Sequence, residues 1–187
     1  NYARAVVDVV KKLGGKPFLT DCNTMYPGSR KNALEHLYCA WENGFTPLTV
    51  GCPILIGDGL KGTDDIEVPV VGGEYVQAAK IGRAIMDADV FISLTHFKGH
   101  EMTGFGGAIK NIGMGCGSRA GKTEQHSGGK ASIDPAKCRG CQKCLKECAN
   151  DALSFDARTK KTRVIEENCV GCGRCLGACN FDAIAFT

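Results

Sequence analysis

Two runs of four cysteines near the carboxyl end of the sequence constrain this chain more than any other feature. The runs span residues 138–148 and 169–179, and both have the spacing Cys-x-x-Cys-x-x-Cys-x-x-x-Cys. Three thiolates separated by two residues each can surround one corner of a 4Fe-4S cube, while the fourth, three residues further on, points away from that cube. Because the pattern occurs twice, it predicts two iron-sulfur clusters.

The two runs belong to a longer internal repeat. Gly140 in the first half corresponds to Gly171 in the second. The dipeptide Asp-Ala follows each run and leads into a short apolar segment, which predicts a strand over residues 153–155 in one half and 184–186 in the other. A repeat of this kind indicates the duplication of one structural unit rather than a chance cluster of cysteines.

Residues 131–187 resemble the bacterial ferredoxins that carry two 4Fe-4S clusters. In those proteins the fourth cysteine of each run binds the cluster of the other run. The proline that usually follows the fourth cysteine is replaced by Ala149 and Asn180, neither of which removes a ligand. The resemblance implies the ligand sets Cys138, Cys141, Cys144 and Cys179 for the first cluster, and Cys169, Cys172, Cys175 and Cys148 for the second.

A zinc site is the alternative for these cysteines, because structural zinc is also bound by paired Cys-x-x-Cys motifs. Zinc takes four ligands in tetrahedral geometry. A single zinc ion would leave half of the thiolates unexplained, and two zinc ions would make the third cysteine of each run redundant. The spacing therefore favours clusters over zinc.

The remaining cysteines and the lack of an apolar run favour a cytoplasmic protein. Of the 12 cysteines, the four outside the runs are scattered without a pairing pattern, which is typical of a reduced compartment. No apolar run is long enough for a membrane span, and no signal peptide is visible. The sequence begins at Asn1 without a methionine, so we expect an internal piece of a longer protein.

The charge of the chain argues against a nucleic-acid partner. The formal net charge is +3 with neutral cysteines. Eight thiolates and two oxidised cluster cores would change this value to about −1. Such a chain lacks the basic excess of nucleic-acid-binding proteins. The basic residues of the ferredoxin-like part, such as Lys143 and Lys146, form either a solvated face or a docking surface for an acidic redox partner.

The sequence predicts an α/β domain over residues 1–128, with a parallel or mixed sheet and flanking helices, followed by a small α+β ferredoxin-like domain over residues 131–187. Alternation of helical and strand patterns supports the first domain. Ser29 is expected to cap a helix whose apolar face carries Leu34, Leu37 and Trp41. Helices are predicted over residues 3–13, 30–43 and 76–88, strands over 16–20, 48–50 and 89–95, and a hairpin over 64–71.

The carboxyl ends of two predicted strands are candidates for a second site. Ligands of α/β sheets bind beyond the carboxyl ends of the strands. Residues 21–24 and 96–100 would therefore face the same rim of the sheet. Asp21 and Asn23 are residues that commonly form turns, and they could also bind a ligand at this rim. His36 lies on a predicted helix and is expected at the surface.

A glycine-rich stretch follows the second strand end, from His96 to Gly115 (HFKGHEMTGFGGAIKNIGMG), and is followed by Ser-Arg-Ala-Gly-Lys at 118–122. These residues are similar to the signature of the Domain of Unknown Function 362 family. Many members of that family carry a two-cluster ferredoxin directly after this stretch, as this chain does. The resemblance covers essentially the whole chain, and it implies no settled reaction.

A more distant similarity connects the same stretch to nickel-pincer lactate racemases. It implies an acid/base role for His100, attachment of the cofactor to Lys110, and an additional metal at His126. His96 and Lys98 complete the candidate catalytic residues, and two lysines in a glycine-rich rim suit a small anionic substrate. The same histidines and lysines would equally serve as backbone hydrogen-bond donors or solvated side chains. The candidate cofactor-binding residues are Gly104, Gly106, Gly107, Lys110 and Asn111.

Three functions follow from these patterns. The first is electron transfer, in which two clusters exchange electrons with a redox partner protein and with a site on the α/β domain. The second is a metal- or cofactor-dependent isomerase or reductase built on His100, Lys110 and His126. The third is a binding module in which the clusters have a structural role. If the chain is an enzyme, an oxidoreductase is the class that the sequence favours.

Overall fold

The computed structural model describes residues 2–74, 76–100, 103–127 and 130–186, with residues 126 and 127 described by their backbone. The α-helices are α1 (Tyr2–Lys12), α2 (Ala33–Glu42), α3 (Pro47–Val50), α4 (Arg83–Met86), α5 (Ala108–Lys110), α6 (Arg119–Ser127), α7 (Lys143–Glu147) and α8 (Arg174–Ala178), with a π-helix at Asn111–Gly115 and a 3₁₀ helix at Glu166–Asn168. The strands are β1 (Leu19–Asp21), β2 (Ile54–Ile56), β3 (Asp65–Pro69), β4 (Ala78–Gly82), β5 (Lys98–His100), β6 (Gly104–Gly106), β7 (Ala131–Ile133), β8 (Leu153–Asp156), β9 (Lys161–Val164) and β10 (Ile184–Phe186).

The amino-terminal part is organised around one parallel pair of strands. β1 pairs with β2, and Leu19 lies opposite Ile54. Helix α1 packs its buried residues Ala3 and Val7 against Val50 in a small apolar core that these strands border. Gly14, at φ +86°, ends the first helix in the left-handed conformation that glycine adopts without strain. The predicted first helix and strand are thus present, with slightly different ends.

Helix α2 turns a different face inward from the one that its apolar residues predict. Asn32 rather than Ser29 caps the helix, and its side chain accepts a hydrogen bond from the Glu35 N–H at 3.0 Å. Leu34 is 62% exposed, whereas His36 is 6% exposed. The expectation of a surface His36 is therefore wrong, because the helix places this histidine beside Asp21 at the end of β1.

Two further predicted elements differ from the structure. Residues 47–50 form the short helix α3 instead of a strand, since Thr46 and Thr49 cap it reciprocally and a proline opens it. The predicted helix over 76–88 is divided into β4 and α4. β4 pairs antiparallel with β3, and this pairing overrides the helical preference of its alanines.

Residues 89–95 form no strand in the structure. Their apolar side chains, including Val90 at 76% exposed, lie largely in solvent. A buried parallel strand requires neighbours that satisfy its backbone, and the described residues supply no partner strand for this segment. The larger parallel or mixed sheet therefore stays a prediction; within the described ranges the sheets are two-stranded.

Residues 131–187 repeat their elements in the way that the sequence does. α7 and α8 have five residues each and lie at equivalent positions of the two cysteine runs. The aspartates that follow the runs, Asp151 and Asp182, both adopt the left-handed conformation, at φ 49° and 48°. β7 pairs with β10 and β8 pairs with β9, both antiparallel. The predicted short strands are confirmed within one residue.

The larger core of the molecule lies in this carboxyl-terminal part. It combines cysteines of both runs with apolar residues such as Leu176, Ile184 and Phe186, and it also takes in Met25 from the loop after β1. The core thus extends from residues 131–187 into the amino-terminal part. Among the helices described, none has the length and apolar character needed to cross a membrane.

Candidate functional site

Two cavities in the carboxyl-terminal part are each lined by four cysteines. Both have an empty volume of about 330 Å³. In each cavity three cysteines come from one run and the fourth comes from the other. The first cavity is lined by Cys138, Cys141, Cys144 and Cys179, and the second by Cys169, Cys172, Cys175 and Cys148. The structure thus brings together the two sets of cysteines that the ferredoxin resemblance implies.

The backbone explains how one run serves two cavities. Gly140, at φ +65°, turns the chain between the first two cysteines of its run. Helix α7 then carries the third cysteine, Cys144, and Cys148, directly after the helix, is extended at φ −83° and ψ 110°. The second run repeats this exit at Cys179, at φ −84° and ψ 111°. The change from helix to extended backbone directs each fourth cysteine away from the other three.

Polar groups from outside the runs approach the sulfur atoms. The Ala131 N–H donates to Cys169 Sγ at 3.4 Å, and the Ala152 N–H donates to Cys148 Sγ at 3.3 Å. In the first cavity, Cys144 Sγ lies 3.8 Å from the Thr162 hydroxyl. N–H groups of this kind stabilise the charged form of a thiolate.

Burial and crowding shift the pKa values of these thiols. Burial, followed by the charges of Cys172, Cys144 and Cys169, raises the pKa of Cys175 to about 12. Burial also raises the pKa of Cys144. Thiolates packed this closely repel one another, so the ionised set is favoured when positive charge lies between the sulfur atoms.

Arg119 reaches from the amino-terminal part to the loop that borders the second cavity. It is fully buried, and its Nη1 donates to the carbonyl oxygen of Gly173 at 3.3 Å, in the loop between Cys172 and Cys175. A Cβ atom at Gly173 would lie 2.3 Å from Arg119 Cδ, and one at Gly177 would lie 2.7 Å from Nη1. These glycines provide the space that the arginine occupies.

The same arginine also binds three loops of the amino-terminal part. Its Nε donates to the Thr24 carbonyl at 3.2 Å, and its two terminal nitrogens donate to the carbonyls of Lys61 and Lys31. Its backbone N–H donates to the Asp58 carboxylate at 3.1 Å. Burial lowers the pKa of Arg119, and the negative charge of Asp58 opposes this shift.

Asp58 is the centre of a buried polar network. Its Oδ1 accepts hydrogen bonds from the backbone and side-chain nitrogens of Asn23, both at 2.8 Å. Burial raises the pKa of Asp58, while Lys122 and Arg119 act in the opposite direction. Lys122 donates to the carbonyl oxygens of Gly117 at 2.6 Å and Gly115 at 3.3 Å, and so holds the end of the glycine-rich stretch.

The structure groups most of the predicted rim residues of the glycine-rich stretch. β5 and β6 pair so that Lys98 lies opposite Gly106 and His100 lies opposite Gly104. A Cβ at Gly106 would lie 3.2 Å from Lys110 Cδ, so the lysine stem packs across this hairpin. Asn111 Nδ2 donates to the Thr95 hydroxyl at 3.0 Å, just before the exposed His96. Gly107 joins β6 to α5.

The first of the two strand ends, at Asp21, lies near the buried side chains of His36 and Lys122. Asp21 Oδ2 is 3.6 Å from Nε2 of the buried His36. The carboxylate of Asp21 and the thiol of Cys116 both influence Lys122, whose pKa is lowered by burial. Asp21 also lies near the end of the glycine-rich stretch, since a Cβ atom at Gly115 would lie 3.9 Å from Asp21 Oδ1. The side chain of His126 lies outside the described residues, and its predicted metal stays a prediction.

Sequence reasoning missed the buried charges Arg119, Asp58 and Lys122. Two signals were available: Asp58 stands between two glycines, and Arg119 and Lys122 lie in the Ser-Arg-Ala-Gly-Lys segment. Neither signal reports burial, which depends on the packing of distant loops. In the described part of the chain, no three His, Cys, Asp or Glu side chains converge closely enough for one metal ion.

Two comparisons with known proteins bear on this chain. A family model described as "Domain of unknown function (DUF362)" matches residues 1–175. A thylakoid-associated protein of Synechocystis sp. is 28% identical over 121 residues, which cover 60% of this chain and 30% of the relative. The chain therefore spans less than a third of the length of that relative. Since the family model matches nearly the whole chain, the chain belongs to the DUF362 family of proteins of unknown function.

Proposed function

We propose that residues 131–187 bind two 4Fe-4S clusters and exchange single electrons with a redox partner protein and with a site on residues 1–128. One observation supports this proposal above all others. Each of the two cavities is lined by three cysteines of one run and the fourth cysteine of the other. This is the ligand exchange of two-cluster ferredoxins.

The residues around the cavities fit such clusters. All four donors of each set are thiols, the ligands that iron-sulfur clusters require. Burial raises the pKa of Cys144 and Cys175, and positive charge from cluster iron would favour their thiolate form. The N–H donors at Cys148 and Cys169 are of the kind that tunes cluster potentials.

Clusters of this type supply reversible one-electron chemistry at low potential. The chain's own residues hold, bury and polarise them. The glycine turns and the helices α7 and α8 place three thiols at each cavity, and the core around Leu176 and Ile184 excludes water from one side. The exposed Cys141 marks the side on which the first cavity approaches solvent. We place the partner protein there, and the nearby Arg139 and Lys143 favour an acidic one.

A reducing, cytoplasmic location belongs to the same proposal, because free thiols must be available for cluster assembly. The small anionic substrate and the catalytic roles of His96, Lys98, His100 and Lys110 are separate predictions. They depend on the rim hairpin and not on the cysteine cavities.

Iron analysis and EPR of anaerobically purified protein test the proposal. We expect about eight irons per chain and, after reduction with dithionite, two interacting paramagnetic clusters. The matched control is a variant in which Cys39, outside both runs, is replaced by serine, and it should retain all the iron. About one or two zinc ions with little iron would contradict the proposal. A stoichiometric nickel or zinc in addition to eight irons would instead favour the isomerase or reductase function.

A further inference from the structure

We infer that Arg119 is a positioning residue that raises the reduction potential of one cluster, the one in the cavity of Cys169, Cys172, Cys175 and Cys148, and connects that cluster to the buried network of Asp58. The inference rests on the proposed function, because it concerns a cluster that this cavity would hold. It goes further by distinguishing the two clusters through a residue outside both cysteine runs.

The contacts of Arg119 are confined to one of the two runs. Its guanidinium donates to the carbonyl of Gly173 and fits against Gly177, and both glycines belong to the run 169–179. The first run has a different cation. Lys161 Nζ donates to the Cys138 carbonyl at 2.5 Å. Each cavity is therefore approached by its own positive charge.

The two cations differ in burial. Arg119 is completely enclosed, whereas Lys161 is half-buried. Reduction adds one negative charge to a cluster, and a neighbouring positive charge stabilises the reduced state. Water and salt screen a partly exposed charge much more than a buried one. Arg119 should therefore shift the potential of its cluster more than Lys161 shifts the potential of the other.

Arg119 also carries the connection to the amino-terminal part. Its backbone N–H is bound to the Asp58 carboxylate, and its side chain is bound to the Thr24 carbonyl. Asp58 is in turn bound by Asn23, next to the predicted rim. An electron added to the second cluster thus acts on Arg119. This residue is bound on one side to the loop of that cluster and on the other side to the residues around the predicted rim.

A redox titration followed by EPR tests this inference on the cluster-loaded chain. The variants are Arg119→Gln, Arg119→Lys and, as the matched control at the other cavity, Lys161→Gln. Arg119→Gln should lower the one-electron equilibrium constant of one reduction step by about tenfold, which corresponds to a decrease of about 59 mV in its reduction potential. The other step should stay in place. Lys161→Gln should lower that other step by a smaller factor.

Arg119→Lys separates charge from shape. A lysine keeps the positive charge but cannot reproduce the hydrogen bonds of the planar guanidinium. Its two reduction steps should stay within about threefold of those of the wild type, on the same one-electron scale. If Arg119→Gln moves both steps equally, moves neither, or moves the step that Lys161→Gln moves, the inference is overturned.

Asp58→Asn decides the question if Arg119→Gln fails to fold. Removal of the negative charge beside Arg119 should raise the reduction potential of the step that Lys161→Gln leaves unchanged. An unchanged or lowered potential for that step would overturn the inference. Iron content separates this failure from failure of the proposed function. A wild-type chain without about eight irons refutes the clusters themselves. Eight irons without a selective shift refute the role of Arg119 alone.

Discussion

The fourth cysteine of each run is the residue that unites the two halves of the ferredoxin-like part. Cys148 follows α7 in sequence but lines the cavity of the second run. Cys179 follows α8 but lines the cavity of the first. Each of these two side chains thus lines the cavity whose other three cysteines belong to the other run.

Replacement of Cys148 by alanine should damage the cluster of the other run. We expect the variant to lose the cluster bound by Cys169, Cys172 and Cys175, and to retain most of the iron at the first cavity. The matched variant Cys179→Ala should show the reverse. EPR of the reduced proteins, together with iron analysis, measures which cluster remains. Equal losses from both clusters in both variants would contradict the exchange of ligands.

Cys22 provides a prediction about alkaline pH. Burial, followed by the charge of Asp58, raises the pKa of this thiol from 9.0 to about 12. The folded state therefore favours the neutral thiol, and its contribution to stability is complete below pH 9 and is lost as the pH rises toward 12. Between these values the free energy of unfolding should fall by about 1.4 kcal/mol per pH unit from this group alone.

The comparison of wild type with Cys22→Ala isolates this contribution. Unfolding by urea should be measured at about pH 8.5 and about pH 10.5, where the linkage of the thiol differs most. The stability of the wild type should fall more steeply than that of the variant. Parallel curves for the two proteins would show that Cys22 does not titrate in this way.

At the scale of single elements, the glycine turns of the cysteine runs have a steric requirement. Gly140 has φ +65°, and a Cβ atom there would lie 2.1 Å from the carbonyl oxygen of Lys160. Gly14 has φ +86° and open space around it. The two positions share the left-handed backbone, but a side chain at Gly140 would also clash with Lys160, in the turn that precedes β9.

Gly140→Ala should therefore cost more than Gly14→Ala. The backbone strain common to both variants is about 1 kcal/mol. The clash adds about 1–3 kcal/mol at Gly140 and displaces the loop that carries Cys138 and Cys141. Urea unfolding gives the stability of each variant, and iron content reports on the loop. Equal stability and full iron in both variants would show that the loop adapts without cost.

The elements that could be predicted are those with local signals. The glycines of the cysteine runs, the repeated short strands and the first helix depend on nearby residues, and the sequence locates them within a few residues. β4 depends on pairing with β3, and the burial of His36 depends on packing against another loop. Neither the strand pairing nor the packing of His36 can be read from the local sequence. The spacing of apolar residues over 76–88 therefore predicted a helix, and the apolar residues of α2 predicted the wrong buried face.

The candidate site divides in the same way. Spacing and the internal repeat predict two clusters, the ferredoxin resemblance implies the crossed cysteine sets, and each cavity is lined by one of these sets. Arg119 could not be found from its neighbours, since its partners Thr24, Lys31, Lys61 and Gly173 are distributed over most of the chain. Long-range convergence of carbonyl groups has no signature in a single sequence.

At the scale of the whole molecule, a few polar contacts join the ferredoxin-like part to the amino-terminal part. Asp182 accepts hydrogen bonds from the Lys31 ammonium and, at 3.3 Å, from the Gly28 N–H. Lys61 and Glu147 form a second ion pair at 2.5 Å. Asp151, the equivalent of Asp182 in the first half of the repeat, is exposed. The repeat is therefore asymmetric where it meets the rest of the chain.

Asp182→Asn should loosen this junction, and Asp151→Asn should not. The Lys31 side chain is 5% exposed and would lose its close anionic partner. Because Asp182 is 44% exposed, solvent screening limits the cost to about 1 kcal/mol. Asparagine tolerates the left-handed backbone at both positions. Thermal melting should show a lower midpoint for Asp182→Asn, and equal midpoints for the two variants would contradict the assigned junction.

The same junction should weaken in acid. The Lys31 ammonium lowers the pKa of Asp182 below its ordinary value of 3.8. The ionised carboxylate is therefore favoured in the folded state, so its contribution is present above pH 3.8 and is lost as the pH falls below that value.

The exchange of cysteines between the two runs also sets an order in time, since a ribosome releases the chain from its amino end. The cavity of Cys169, Cys172 and Cys175 already has Cys148 when Cys175 emerges, so its set of four is complete at that residue. The cavity that begins with Cys138, earlier in the sequence, must wait for Cys179. The site that is started first is thus completed last, and a nascent chain that stalls between these two cysteines carries one finished site and one open site.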